Sequence, residues 1–353
     1  MGSAPLEGNA MIEFRISNLE FRILRILFTG ILIFNVPVFS ARGAANEDRQ
    51  KPTVIVVVGA AGTEEYGAQF AESAGLWKQA CSKGSAKFVG IGLDEVAEAD
   101  DLTTLQGKLA GESKQANAAA LWLVLIGHGT YDGKTAKFNL RGPDLSADDL
   151  ADWLKPFSRP IAVINAASSS APFLSKLSRQ GRVVITATKS GFEQNYARFG
   201  QYLAGAIAEP QADLDKDGQT SLLEAFLTAS HRVDEFYSAA GRLATERALL
   251  DDNGDGLGTR ADWFRGIRPV RKAMDNASLD GYLAHQFHLV RSEAENKMPS
   301  GLRAKRDQLE LEVVKLRDTK EKFSEEEYFS KLEALLYDIA QIYEQTDKPD
   351  QTK

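Results

Sequence analysis

The 353-residue chain has a single cysteine, Cys81, so no internal disulfide can form and the fold must rest on its buried core. Histidine is scarce, with four in the chain, and any histidine beside a chemistry-bearing pattern therefore stands out. Positive charge is not in excess. The net charge of −7 argues against a nucleic-acid partner, which would need a basic face. RGIRPVRK (265–272) is the main basic run and reads as a solvated loop or as a contact for a polyanion. There is no G-x-G-x-x-G and no GK[ST]. VVVGAAGTEEYG (56–67) lacks both spacings, and Glu64 and Glu65 would repel a phosphate, so no nucleotide is expected. No apolar run reaches the roughly 20 residues of a membrane-spanning helix.

The N-terminal stretch nevertheless has a layout of its own. Arg22 and Arg25 precede an apolar run from Ile26 to Phe39, and small residues follow. This is the order of a secretory signal peptide, with Gly43-Ala44-Ala45 as the cleavage site; retention as an anchor is the alternative. The mature chain would then begin near Asn46, with Met11 a candidate start, and the protein is expected to be exported to a periplasm, the medium or a cell surface.

From Thr53 onward the chain alternates strand and helix. Apolar runs at 53–59, 86–92, 121–127, 161–165 and 182–188 read as strands, several buried on both faces. Helical patterns cover about 65–81, 101–112 and 146–154, the last with Ser146 as N-cap. The alternation predicts a doubly wound, mostly parallel α/β sheet sandwiched between helices over 46–208, after the 1–45 signal region. A helical calcium-binding module is expected over 209–265, a helical connector over 266–300, and a helical hairpin or coiled coil over 301–353. In that last part Leu302, Leu309, Val313 and Leu316 face Leu332, Leu335, Leu336, Ile339 and Ile342, and Ser324 with Glu327 makes a capping box. The hairpin either packs on itself and the main domain or offers 301–346 to a protein partner or a second copy.

Two strand ends carry chemistry. LWLVLIG (121–127) runs into His128-Gly129, and IAVIN (161–165) runs into Ala166-Ala167-Ser168-Ser169-Ser170. In an open α/β sheet, sites form beyond the carboxyl ends of strands, and strands joined by one crossover lie close together. An imidazole, open backbone N–H groups and a facing nucleophile would suit acyl transfer. These motifs resemble those of the caspase/legumain/gingipain superfamily of cysteine peptidases, in which one strand ends in His-Gly and another in a small residue and the catalytic Cys. The resemblance covers about 53–208, under half of the chain. It implies that His128 is the acid/base, that the N–H of Gly129 is an oxyanion-hole donor, and that Ala167 fills the nucleophile slot, where a methyl group cannot react. Ser168, or Ser169 or Ser170, could serve only if the turn is shifted. Three outcomes are open: an inactive homologue binding a peptide or protein ligand at His128, a serine hydrolase, and a structural calcium-binding protein. Cys81 precedes His128 and reads as a buried, inert thiol. In the 186–200 segment, Glu193 or Arg198 would set specificity, unless it is only a surface loop.

Two acidic loops lie further on. DLDKDGQTSLLE (213–224) fits an EF-hand frame: Asp213, Asp215, Asp217, the Gln219 carbonyl, Ser221 and Glu224, with Gly218 at the turn. Asp251, Asn253, Asp255, the Leu257 carbonyl, Thr259 and Asp262 form a weaker copy ending in a shorter acid. The spacing predicts a pair, although Thr220 and Gly258 stand where paired loops usually carry branched apolar residues. Calcium is the expected cofactor, in a structural role.

Overall fold

A computed structural model describes residues 51–94, 99–115, 118–275 and 277–347. The signal-peptide reading of 1–45 lies outside the described residues. The first strand, β1 (Thr53–Val58), is a run of β-branched residues buried on both faces. It leads to α1 (Glu64–Lys83), whose N-cap Thr63 accepts from the N–H of Tyr66, and whose Phe70, Ala74, Trp77, Ala80 and Cys81 form one buried stripe. Then come β2 (Lys87–Ile91), α2 (Asp101–Ser113) and β3 (Leu121–Ile126). A small antiparallel sheet of β4 (Gly129–Tyr131), β5 (Ala136–Phe138) and β6 (Leu145–Ser146) comes next, which the hydrophobic pattern does not announce. Ser146 caps α3 (Ala147–Trp153) as its sequence implies. The domain continues through β7 (Ile161–Asn165), α4 (Ala171–Leu177), β8 (Arg182–Thr186) and α5 (Phe199–Ala206).

The main sheet has the order β2-β1-β3-β7-β8, all parallel. Helices α1 and α5 cover one face, with Phe70, Trp77 and Leu203 buried against Val54, Trp122 and Ile164. Helices α2, α3 and α4 cover the other, with Leu105, Leu150 and Phe173 against Ile55, Leu123 and Val163. Each such fully buried side chain contributes roughly 1.5–3 kcal/mol.

The 209–265 stretch is not a separate helical module. Helix α6 (Leu222–Ala239) packs on α5, with the Phe226 and Phe199 rings 5.9 Å apart, and its apolar face belongs to the same core as the sheet. Strand β9 (Leu249–Asp251) then joins the sheet as a sixth, antiparallel strand on β8. The connector also differs from expectation. A hairpin of β10 (Phe264–Arg265) and β11 (Arg268–Pro269) comes first, and the described residues of 270–281 carry no helix. Among the described residues, only the short α7 (Tyr282–Gln286) and α8 (Glu293–Lys297) are helical there. Helix α9 (Ser300–Asp318) folds back on α10 (Glu325–Asp347) around Leu309, Val313, Leu316, Tyr328, Leu332, Ile339 and Ile342. Arg306 fastens this hairpin to α8 through Glu295.

Cys81 is 1% exposed, and burial pushes its thiol up to about 12. Since the thiolate is the reactive form, iodoacetamide at pH 8 should label no thiol in the native protein and one in denaturant. Labelling of the native protein would contradict this packing.

Candidate functional site

The strand order reverses between β1 and β3, because β2 lies to one side of this pair and β7 to the other. The chain leaves β1 toward α1 and β3 toward β4, opening a crevice at the carboxyl edge. His128 lies there. Its Nε2 is 3.2 Å from the carbonyl oxygen of Ala61, in the segment after β1. A carbonyl only accepts, so Nε2 is the donor in this bond. Tyr66 and Phe70 meet the imidazole edge-on, at ring separations of 4.8 and 5.3 Å, and Tyr196 stands 6.3 Å away. Burial raises the Tyr196 phenol to about 12, so it stays protonated.

Opposite His128 is the turn from β7 to α4. Asn165 accepts from the N–H of Ala167, and Ala167 is 1% exposed, its methyl group in the apolar layer that contains Leu125 and Phe173. Ala167 therefore does not face His128-Gly129. Ser168 does: its Oγ accepts from the Gly129 N–H at 3.1 Å and lies 3.3 Å from the Gly129 carbonyl oxygen, to which it donates. Ala167 keeps the alternation of β7 and stays in the core layer, and the next residue, Ser168, is the one that meets Gly129. Gly129 permits the approach, since a Cβ there would come within 2.3 Å of the Ser168 carbonyl oxygen.

Ser169 has a left-handed backbone, φ +53°, and its N–H donates to the Glu193 carbonyl at 2.8 Å. Its buried hydroxyl has no partner among the described residues. Ser170 exchanges hydrogen bonds with Thr188. No hydrogen bond joins the His128 ring to any of these three serines among the described residues.

The 186–200 segment arches over this turn. Glu193 supplies the carbonyl that covers Ser169, and its carboxylate accepts from the N–H of Lys189. The Arg198 guanidinium lies 4.1 Å from the Phe236 ring centroid and 5.8 Å from that of Tyr196. These residues, with Tyr66, Gln69 and Leu243, border a cavity of about 330 Å³ beside the crevice. Glu246, 2% exposed, accepts from the N–H groups of Arg198 and Phe199, and burial raises its pKa. Ala61, Tyr66, Phe70, Tyr196 and Glu246 are parts of the site that sequence reasoning missed. None belongs to a motif, and they meet only through the sheet topology.

The first acidic loop is brought together. Single carboxylate oxygens of Asp213, Asp215 and Asp217 lie within 4.8 Å of one another. Asp213 accepts from the N–H groups of Lys216 and Gly218, and Lys216 and Gly218 take positive φ. Ser221 and Glu224 form a capping box on α6. Glu224 is fully buried and its two oxygens accept from Leu214, Asp215 and Ser221. Two partners were not foreseen. The His285 Nε2 is 3.0 Å from Asp215, and the Gln219 side chain accepts from the N–H of Ser292. Burial opposes ionisation of Asp215, but His285 beside it holds the carboxyl below its usual range.

The second acidic loop departs from the EF-hand frame. It starts on strand β9 rather than a helix and closes on itself, Thr259 exchanging backbone hydrogen bonds with Leu250. Asp251 accepts from Gly254 and Gly256, Asn253 from Asp255, and Asp255 from Leu257. Asp262 pairs with Arg260 instead, and the Thr259 hydroxyl goes to Asp280. The two loops do not pair, since Ser221 bridges to His288 and β9 is recruited by the sheet. Asp252 and Asp280, both buried, are additional carboxylates here that burial drives toward the protonated form.

No family model matches the sequence, and no curated protein matches it significantly. Among solved structures, caspase-1 from Spodoptera frugiperda superposes with a TM-score of 0.39 at 10% identity, covering 63% of this chain and 94% of the caspase. The Drosophila initiator caspase Dronc superposes with a TM-score of 0.38 at 14% identity, covering 64% of this chain and 93% of Dronc.

Proposed function

We propose that this chain is a caspase/legumain-type peptidase homologue that binds a peptide or protein segment at the His128 crevice without cleaving it. The mutual hydrogen bonding of Ser168 and Gly129 carries this reading. Acyl transfer needs backbone donors free to receive an oxyanion. Here the Gly129 N–H is taken by the Ser168 hydroxyl and the Ser169 N–H by Glu193. A serine hydroxyl is also harder to deprotonate than a thiol and would need the imidazole within reach. The first acidic loop holds a calcium ion, its hard oxygen donors and positive-φ turn suiting that ion, with a structural role in fixing α6. The second loop is a poorer fit because Asp262 points elsewhere. Export through the N-terminal segment belongs to the same reading.

One observation favours a second reading, an active serine hydrolase: Ser168 Oγ already stands at the Gly129 donor. A fluorophosphonate probe on the calcium-loaded protein, located by mass spectrometry, separates the two. No adduct is expected at Ser168, Ser169 or Ser170. An adduct at Ser168 that disappears in His128→Ala would replace the binding reading with the hydrolase.

A further inference from the structure

The basic run 265–272 is not an irregular loop. It lies on the β10–β11 hairpin and the segment after it, closed by a two-residue turn in which Gly266 has φ +57°. Phe264 pairs with Pro269 and Arg265 with Arg268, and the Val270 N–H donates to the Trp263 carbonyl, which extends the pairing by one residue. Side chains alternate along a strand. Pro269 is buried, so the exposed Arg265 and Arg268 share the outer face, with Val270 next along the chain on the same side. Val270 is 51% exposed and Met274, just beyond, 61%. The Arg271 guanidinium lies 4.8 Å from the Trp263 ring centroid.

This face has two features that its own fold does not account for. Arg265 and Arg268 stand directly opposite each other, an arrangement of like charges that weakens a strand pair. Among the described residues, none of Arg265, Arg268, Arg271 and Lys272 has a carboxylate oxygen within 4.0 Å, although the Asp318 carboxyl feels the charge of Lys272. Beside these cations are exposed apolar side chains and an indole, in a protein whose net charge is −7.

We propose that this hairpin face docks onto an anionic lipid bilayer. Four cations would be attracted by acidic headgroups, and Trp263, Val270 and Met274 would enter the headgroup–acyl boundary, where an indole is favoured. The apolar groups decide among anionic partners, because a nucleic-acid phosphate backbone offers nothing to Val270 or Met274. Strands of two residues are too short to add a partner's strand to their edge. The proposal is independent of what His128 binds.

The test uses the full chain and vesicles of acidic phospholipid with brominated acyl chains, which quench nearby indoles. The chain has four tryptophans, and Trp77 and Trp122 are buried, so a quenched component lost in Trp263→Phe reports this face and not adsorption elsewhere. Expected are quenching in acidic but not zwitterionic vesicles, a loss of about tenfold or more in partitioning for Arg265→Glu/Arg268→Glu, and a smaller loss for Val270→Ser/Met274→Ser. Circular dichroism would check that both variants are folded. Equal quenching in Trp263→Phe, or unchanged partitioning after charge reversal, would overturn the proposal. Heparin binding without vesicle quenching would overturn it in favour of a soluble polyanion.

Discussion

Glu224→Ala should lower the melting temperature by about 5–10 °C in the absence of calcium. The side chain is fully buried and its two oxygens serve four donors: the N–H groups of Leu214, Asp215 and Ser221, and the Ser221 hydroxyl. Alanine leaves those donors facing a void at the start of α6. A buried donor without a partner costs about 1–3 kcal/mol, and water can repair only part of the loss. Calcium supplies a second comparison. At 10-fold to 100-fold excess over its dissociation constant it should stabilise the parent protein by about 1.4–2.7 kcal/mol, and Glu224→Ala much less. Asp217→Asn removes one charge from an exposed site while keeping an acceptor for Gln219. It should therefore change the calcium-free melting temperature little and abolish most of the calcium-dependent rise. Thermal scans with calcium and with chelator check all three proteins. A Glu224→Ala protein that melts with the parent would remove Glu224 as the staple of this loop. An undiminished calcium response in both variants would remove the loop as the calcium site.

Gly129→Ala should be destabilising by about 3 kcal/mol or more. Its Cβ would lie 2.3 Å from the Ser168 carbonyl oxygen and 3.2 Å from that of Lys137. Both obstacles are backbone atoms, so relief requires moving the β7–α4 turn away from β4. The Ser168–Gly129 hydrogen bonds would be lost with that movement. Gly107, in the middle of α2, is the internal control, because nothing lies within 4 Å of its hypothetical Cβ. Gly107→Ala should be stabilising by about 0.5–1 kcal/mol. Denaturant titration of both variants measures the contrast. If Gly129→Ala unfolds at the parent midpoint, the serine turn is not held against His128-Gly129, and the Gly129 N–H is not held by Ser168.

The parallel strands were legible because residues buried on both faces must be apolar throughout, as in β1 and β3. Caps were legible because they need a particular side chain at a particular offset, as Ser146 and Ser324 do. The small β4–β5–β6 sheet was not, since three-residue strands carry no periodicity. Which side chain meets Gly129 was not legible for a similar reason. A motif counts residues, whereas the side chain that reaches Gly129 depends on where the chain stops alternating, and that happens after Ala167. His285 and Asp280 were invisible because each meets its acidic loop from a distant part of the chain. The pairing of the acidic loops failed on competition: the second loop starts at Asp251, and the open edge of β8 claims Leu249–Asp251 as a strand.

That claim has a consequence for how the chain can be made. Strand β8 ends at Thr186, and its outer neighbour begins at Leu249, about 60 residues later. During synthesis, at roughly 5–20 residues per second, the five parallel strands stand complete but unsealed for several seconds. Throughout that interval the sequence RVVIT, buried in the finished fold, offers an open row of backbone donors and acceptors to any neighbouring nascent chain. Aggregation of truncated chains ending before Asp251 should therefore set the lower limit on any fragment that can be expressed. Strand β9 acts as the closing piece of the sheet, and the bridge from Leu250 to Thr259 occupies part of its own outer side.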